Sequence, residues 1–135
     1  MFGLFQRSLL RIEVAATAAE IEATLTQPDR LNAWLWPPLP SQELPALQVE
    51  AEFTRSLGVV PIHHRVAHRG HQDLRLILSG AVDGYHEWAW GDGWLQSRLE
   101  GVSLLPLNLV QTLTLLRLRQ ILTPSPVADD QTAIE

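Results

Sequence analysis

The order of elements constrains this chain more than any single motif does. Leu10, Ile12 and Val14 alternate with Arg11 and Glu13, the period-two pattern of a half-buried strand over 8–14. Thr17-Ala18-Ala19-Glu20 has the spacing of a capping box and opens a helix, and 28–35 reads as a second short helix with Leu31, Trp34 and Leu35 on one side. Strands are then predicted at 47–50, 52–57, 60–68, 74–79, 83–90 and 94–102, followed by one Leu-rich helix over 106–122. A long strand run that precedes a single helix can curl around it, and the space between the two becomes an apolar hollow.

Punctuation supports the division. Gly91-Asp92-Gly93 lies between two alternating aromatic-rich segments, the chemistry of a β-hairpin, and Arg69-Gly70-His71-Gln72-Asp73 predicts a second one. Gly80 and Gly84 mark a turn or bulges in a curved sheet. Trp36-Pro37-Pro38-Leu39-Pro40 cannot continue a helix, because proline lacks the donor and restricts its predecessor, so the stretch through Pro45 is a connector. The expected organisation is one domain over 1–123 and a disordered, acidic tail over 124–135.

Charge and composition exclude several classes. All ten basic side chains are arginine and the formal charge is −5, a field that repels nucleic acid and anionic lipid heads. Without lysine there is no side-chain amine for Schiff-base chemistry, and without cysteine there is no disulfide, thiolate metal site or thiol nucleophile. The Leu-rich C-terminal stretch is interrupted by Pro106, Arg117 and Arg119, so no membrane span is expected. The segment 1–7 lacks the parts of a signal peptide, which makes the cytoplasm the expected location.

The strand through Arg11 to Val14, the Ala15-Ala16-Thr17 approach, the capped helix, Gln27-Pro28-Asp29-Arg30 and then Trp34 resemble the opening of the START-like superfamily, also called SRPBCC or helix-grip. The resemblance runs over 8–122 and carries no catalytic signature. It implies an α+β helix-grip fold in which a curved antiparallel sheet wraps the C-terminal helix, with two short helices after the first strand. It also implies a cavity for a hydrophobic or amphipathic small molecule. The terminal helix is shorter than many in the superfamily, which implies a cavity that is shallow, open at one end or filled by side chains.

Candidate site residues follow from strand alternation. His86, Trp88 and Trp90 share one face of their strand, opposite Glu87 and Ala89. They form either the wall of a binding site with indole donors or plain core filling beneath the helix. Arg98 is the candidate anchor for a bound carboxylate or phenolate, together with His86, unless it points outward and pairs with Glu100 or Glu87. Trp34, Leu113 and Leu116 complete the expected wall.

His63, His64, His68 and His71 suggest a metal site only weakly. His64 and His68 would share a strand face about 13 Å apart at about 3.3 Å per residue, too far for one ion, and no metal or cofactor is expected. None of Ser79, Ser97 or Ser103 sits in a GxSxG elbow. The leading expectation is a non-enzymatic binding protein for a small hydrophobic molecule. The alternatives are a polyketide cyclase or dehydratase-like enzyme that uses His86 and Arg98, and a protein-interaction module that docks through the terminal helix or the Pro37 to Pro45 connector.

Overall fold

A computed structural model describes residues 3–34, 46–57, 60–103 and 105–122. The end of the second expected helix at Leu35, the Pro-rich connector and the acidic tail lie outside the described residues.

The elements run β1 (Leu4–Glu13), α1 (Ala18–Thr26), α2 (Pro28–Trp34), β2 (Glu52–Leu57), β3 (Val60–Arg69), β4 (Asp73–Gly80), β5 (Val82–Gly91), β6 (Trp94–Ser103) and α3 (Leu107–Leu122). The six strands form one antiparallel sheet in the order β1-β6-β5-β4-β3-β2. Consecutive strands are hairpin neighbours, except that β1 closes against β6 from Leu4 opposite Ser103 to Glu13 opposite Trp94. The sheet is curved, and α3 lies along its concave face. The fold is α+β, a helix grip.

Local chemistry explains the joints. Thr17 caps α1 by accepting from the Glu20 amide at 3.2 Å, and Asp92 at the β5–β6 turn accepts from the Ala18 amide at 2.8 Å, so the hairpin tip holds the helix start. Gly93 supplies the positive φ (83°) that the tight turn requires. Gly84 and Gly101 face each other across β5 and β6, and a Cβ on Gly84 would lie 1.9 Å from the Glu100 carbonyl oxygen. Only glycine permits that approach of the two backbones.

Three expectations about local structure change. The first strand starts at Leu4 rather than Ser8, because β6 is long enough to pair with the added residues. No strand forms over 47–50. There the Leu47 amide donates to the Thr26 carbonyl at 3.0 Å and the Glu50 amide to the Val66 carbonyl at 2.9 Å, while Glu50 takes φ 75°. The segment is a turn that drops Leu47 into the core. The third change is a shift of register between Val66 and His68. This bulge carries His68 to the exposed surface, where it pairs with Asp73 at 3.1 Å, so His64 and His68 do not share a face. It also turns Arg69 toward α1, where its guanidinium bonds Glu22 and the Leu47 carbonyl.

The core lies between sheet, α1, α2 and α3, around Ile21, Leu25, Leu31, Trp88, Leu95 and Leu118. The expected wall residues Leu113 and Leu116 do not face the core; with Leu109 and Ile121 they are exposed. The buried stripe is Leu107, Gln111, Leu115, Leu118 and Leu122. A helix that is apolar nearly all round gives no clear inward face, and here the polar Gln111 chooses it.

Candidate functional site

The concave face is built by alternation along each strand: Phe53 and Arg55 from β2, Ile62 and His64 from β3, Leu76 and Leu78 from β4, His86 and Trp88 from β5. Over them lie Val110, Gln111 and Thr114 of α3 and Trp34 of α2. The space enclosed between these layers is small, about 40 Å³, which is room for a few water molecules at about 10–15 Å³ each. Beside it lies an outer groove of about 480 Å³ lined by Trp34, Arg55, Leu113, Leu116, Arg117 and Gln120, among others. Trp34, Arg55, Val110 and Thr114 border both spaces, so they form the boundary between inner gap and groove.

A line of buried hydrogen bonds crosses the gap's floor. Gln111 Nε2 donates to the Ser97 carbonyl at 2.8 Å and to Ser97 Oγ at 2.9 Å, while Ser8 donates to Gln111 Oε1 at 2.5 Å. Ser97 Oγ lies 2.6 Å from His86 Nε2. The Ser97 hydroxyl and the imidazole share one proton across this contact, and the tautomer of His86 sets which of them donates. Burial, and then the nearby Arg55 charge, lower His86 to a pKa of about 3. His64 is stacked on Phe53 at 4.5 Å and accepts from Arg55 Nε at 3.4 Å; burial, followed by the charge of Arg55, also holds it well below the ordinary value. Both imidazoles are therefore neutral at pH 7.

These depressed values set a pH dependence. The unfolded chain takes up a proton on each histidine near 6.5, whereas folded His86 waits until about 3, so stability is intact above 6.5 and falls as pH drops below it. Urea midpoints measured from pH 7 to 4.5 are expected to fall, with a contribution of up to about 1.4 kcal/mol per pH unit from each histidine. His86→Phe is expected to flatten the slope, and an equal slope in this variant would refute the assignment.

The sequence-derived candidates separate into three groups. Trp34, His86 and Trp88 do meet at the hollow: the indoles of Trp34 and Trp88 pack edge to face at 5.7 Å, and His86 lies 4.3 Å from Trp88. Leu113 and Leu116 line the outer groove rather than the core. Trp90 and Arg98 line neither space. Trp90 is buried beneath the hairpin as core filling. Arg98 lies exposed on the convex face, where its register partner is Glu87 and it bonds Tyr85, because β6 turns Leu95, Ser97 and Leu99 inward. Arg98 is therefore not an anchor for a guest in the hollow, and it cannot work with His86 as a catalytic pair.

Arg55, His64, Ser97 and Gln111 were missed. The first two carried a signal, since Phe53-Thr54-Arg55 and Ile62-His63-His64 alternate, and an inward Phe53 or Ile62 brings its second neighbour inward too. The four candidate metal-binding histidines scatter: His64 points inward, His63 bonds Thr54 at 2.8 Å, His68 pairs with Asp73, and His71 is exposed. Among the described residues no group of three potential ligands could hold an ion, and no helix of the described residues is long and apolar enough to cross a membrane.

No protein-family model and no curated protein match the chain. Solved structures do. A protein of Chromobacterium violaceum superposes with a TM-score of 0.68 at 15% identity, over 88% of this chain and 98% of the other. The Aha1 dimer of Colwellia psychrerythraea gives 0.63 at 15% identity, over 87% and 96%. A norcoclaurine synthase of Thalictrum flavum, determined with a transition-state analogue, gives 0.50 at 14% identity, over 89% and 98%. At such identities the likeness concerns architecture, and together with the curved six-stranded sheet that packs on α3 it shows the helix-grip fold.

Proposed function

We propose that the protein binds a small hydrophobic or amphipathic molecule between its curved sheet and α3, with most of the guest in the outer groove. The observation that carries this reading is the groove itself: about 480 Å³, bordered by Trp34, Val110, Leu113 and Leu116, and adjoining the apolar gap inside. Ligand sites commonly measure about 300–1,000 Å³ and combine apolar walls with a few polar groups. Leu113 and Leu116, at 59% and 53% exposure, gain a reason to face outward if a guest covers them.

The neutral fluorophore N-phenyl-1-naphthylamine tests the proposal. Its emission is expected to rise saturably with the protein and to be displaced by apolar competitors. Leu113→Glu is expected to weaken the probe about tenfold or more. The same substitution should change folding stability by only about 0.5 kcal/mol, since the residue supports no core contact. A probe that ignores both proteins would end the proposal.

A second reading, catalysis, has one observation in its favour: His86 and Gln111, which line the hollow, are both hydrogen-bonded to the buried Ser97. Norcoclaurine synthase shows that an enzyme can use this fold. A general base works best with a pKa near the working pH, however, and His86 sits near 3. Binding is therefore the better supported function.

A further inference from the structure

We infer that the protein pairs with a second copy of itself along β1, the two strands running antiparallel about a two-fold axis at Leu10, so that Arg7 of each copy meets Glu13 of the other. Since β1 and β2 are opposite edges of the sheet, this pairing is separate from the groove that Arg55 of β2 borders, and it stands whether or not a guest binds there.

Strand β1 ends the sheet, and its ten residues pair with β6 in one unbroken register. The Val14 amide donates to the Gly93 carbonyl, and the alternation of an antiparallel ladder then turns the backbone groups of the even-numbered residues toward β6. The amides and carbonyls of Phe5, Arg7, Leu9, Arg11 and Glu13 therefore face outward, where among the described residues they meet no backbone partner.

Natural sheets blunt such edges with short strands, lysine, proline or bulges. The opposite edge, β2, has only six residues. None of these devices is present in β1, which is long, unbulged and free of proline and lysine. Its Leu4, Phe5 and Leu9 are apolar and 77%, 62% and 52% exposed, and none of the three lines the gap or the groove. An unprotected apolar edge of this length is a surface for another strand.

The charges name that strand. Arg7, Leu9, Arg11 and Glu13 share the convex face of β1, because Ser8 is buried on the other. Residues directly opposite in an antiparallel pair lie on one face, so a two-fold copy is centred on a single residue. Centred on Arg7 or Arg11 the pair sets an arginine against itself, centred on Leu9 it sets Arg7 against Arg11, and centred on Ser8 it gains no ion pair. Centred on Leu10 it sets Arg7 against Glu13 at both ends and Leu9 against the methylene stem of Arg11 between them. Arg7 can bridge both carboxylates: its Nε bonds Glu100 at 2.8 Å, while its side chain is 72% exposed and a guanidinium has further donors. An edge that answers its own charges in this way fits a second copy better than a strand of one sign.

Sedimentation equilibrium over a wide range of concentration tests the pairing. The wild type is expected to approach twice the mass of one chain. Glu13→Arg and Arg7→Glu, each alone, are expected to raise the dimer dissociation constant about tenfold or more, because two symmetry-related attractions become repulsions. An equimolar mixture of these two variants is expected to dimerise as the wild type does, since every facing pair is again of opposite sign. The amides of Arg7, Leu9, Arg11 and Glu13 are expected to exchange more slowly with solvent as the concentration rises. Should either charge variant fail to fold by circular dichroism, Leu9→Lys at an exposed position is expected to weaken the dimer by a similar factor.

A monomer at every concentration would overturn the pairing and leave the edge to a different partner. A dimer indifferent to all three substitutions would show that β1 is not its interface. Weakening by the charge variants without recovery in their mixture would overturn the register at Leu10.

Discussion

Trp88→Ala is expected to lower folding stability by about 3–5 kcal/mol, the cost of emptying a large aromatic site in a core. Trp88 is 1% exposed, meets Trp34 edge to face, lies against His86 and forms part of the wall of the inner gap. Few residues are in contact with so many parts of the molecule at once: α2 through Trp34, the sheet through β5, and the hollow. Domains of this size are commonly stable by about 5–15 kcal/mol, so the loss should appear as a large fall in urea midpoint. A change below about 1 kcal/mol would mean that this wall is not packed as described. A surviving variant should also accept bulkier guests, because the removed indole enlarges the inner gap.

The second large effect concerns Gln111. Its amide donates to Ser97 and accepts from Ser8, and these bonds tie α3 to β6 and to β1, the two strands that close the sheet. Gln111→Leu conserves volume but takes a buried hydrogen-bond partner from both strands, at about 1–3 kcal/mol for each, while Ser8 keeps Asn108 and Ser97 keeps His86. A total loss of about 2–4 kcal/mol is expected in urea unfolding. Adding Ser8→Ala should return part of it, since the hydroxyl that Gln111 leaves behind is then removed and Asn108, its other partner, is exposed. If Gln111→Leu were neutral or stabilising, the network would not be what seats the helix.

Much of the architecture could be read from residues that obey one local rule. The Thr17 cap, the Asp92-Gly93 turn and the alternation through His86, Trp88 and Trp90 each depend on short-range chemistry, and each reappears in the structure. The failures came where a distant partner decides. Strand β1 is longer than its own alternation suggests because β6 offers partners as far as Ser103. Val49 and Glu50 look strand-like in isolation, yet their segment is bent by bonds to Thr26 and Val66.

The helix α3 is the clearest case. Leu109, Leu113 and Leu116 and the alternative set Leu107, Leu115, Leu118 and Leu122 both have helical spacing, so hydrophobicity alone selects neither face. The selection comes from Gln111, whose bonds to Ser8 and Ser97 need the folded sheet. The site shows the same division. Aromatic members Trp34 and Trp88 were legible as large buried side chains near a hairpin or a helix end. The charged member was misplaced to Arg98, because nothing local distinguishes an arginine that faces inward from one that faces solvent; Arg55 is known by its strand partner Ile62 and its neighbour His64.

The exposed Leu109, Leu113 and Leu116 also bear on the reading of α3 as a docking surface for another protein. The two readings differ in where a guest is felt. Contact with a partner protein would touch the outer rim, whereas a small molecule seated in the groove touches Trp34, which lines it, and is felt at Trp88, packed edge to face on Trp34.

Indole N–H signals in a proton–nitrogen correlation spectrum, followed as N-phenyl-1-naphthylamine is added, test the central claim most directly. Trp34 and Trp88 border the hollow, whereas Trp94 lies on the opposite face of the sheet beneath the Arg11 guanidinium, 4.2 Å from its ring centre. The expected result is a saturable shift of the Trp34 and Trp88 signals with Trp94 unmoved. Shifts at Trp94 with Trp34 and Trp88 unaffected, or no shift in any of the three, would contradict a guest site between sheet and helix.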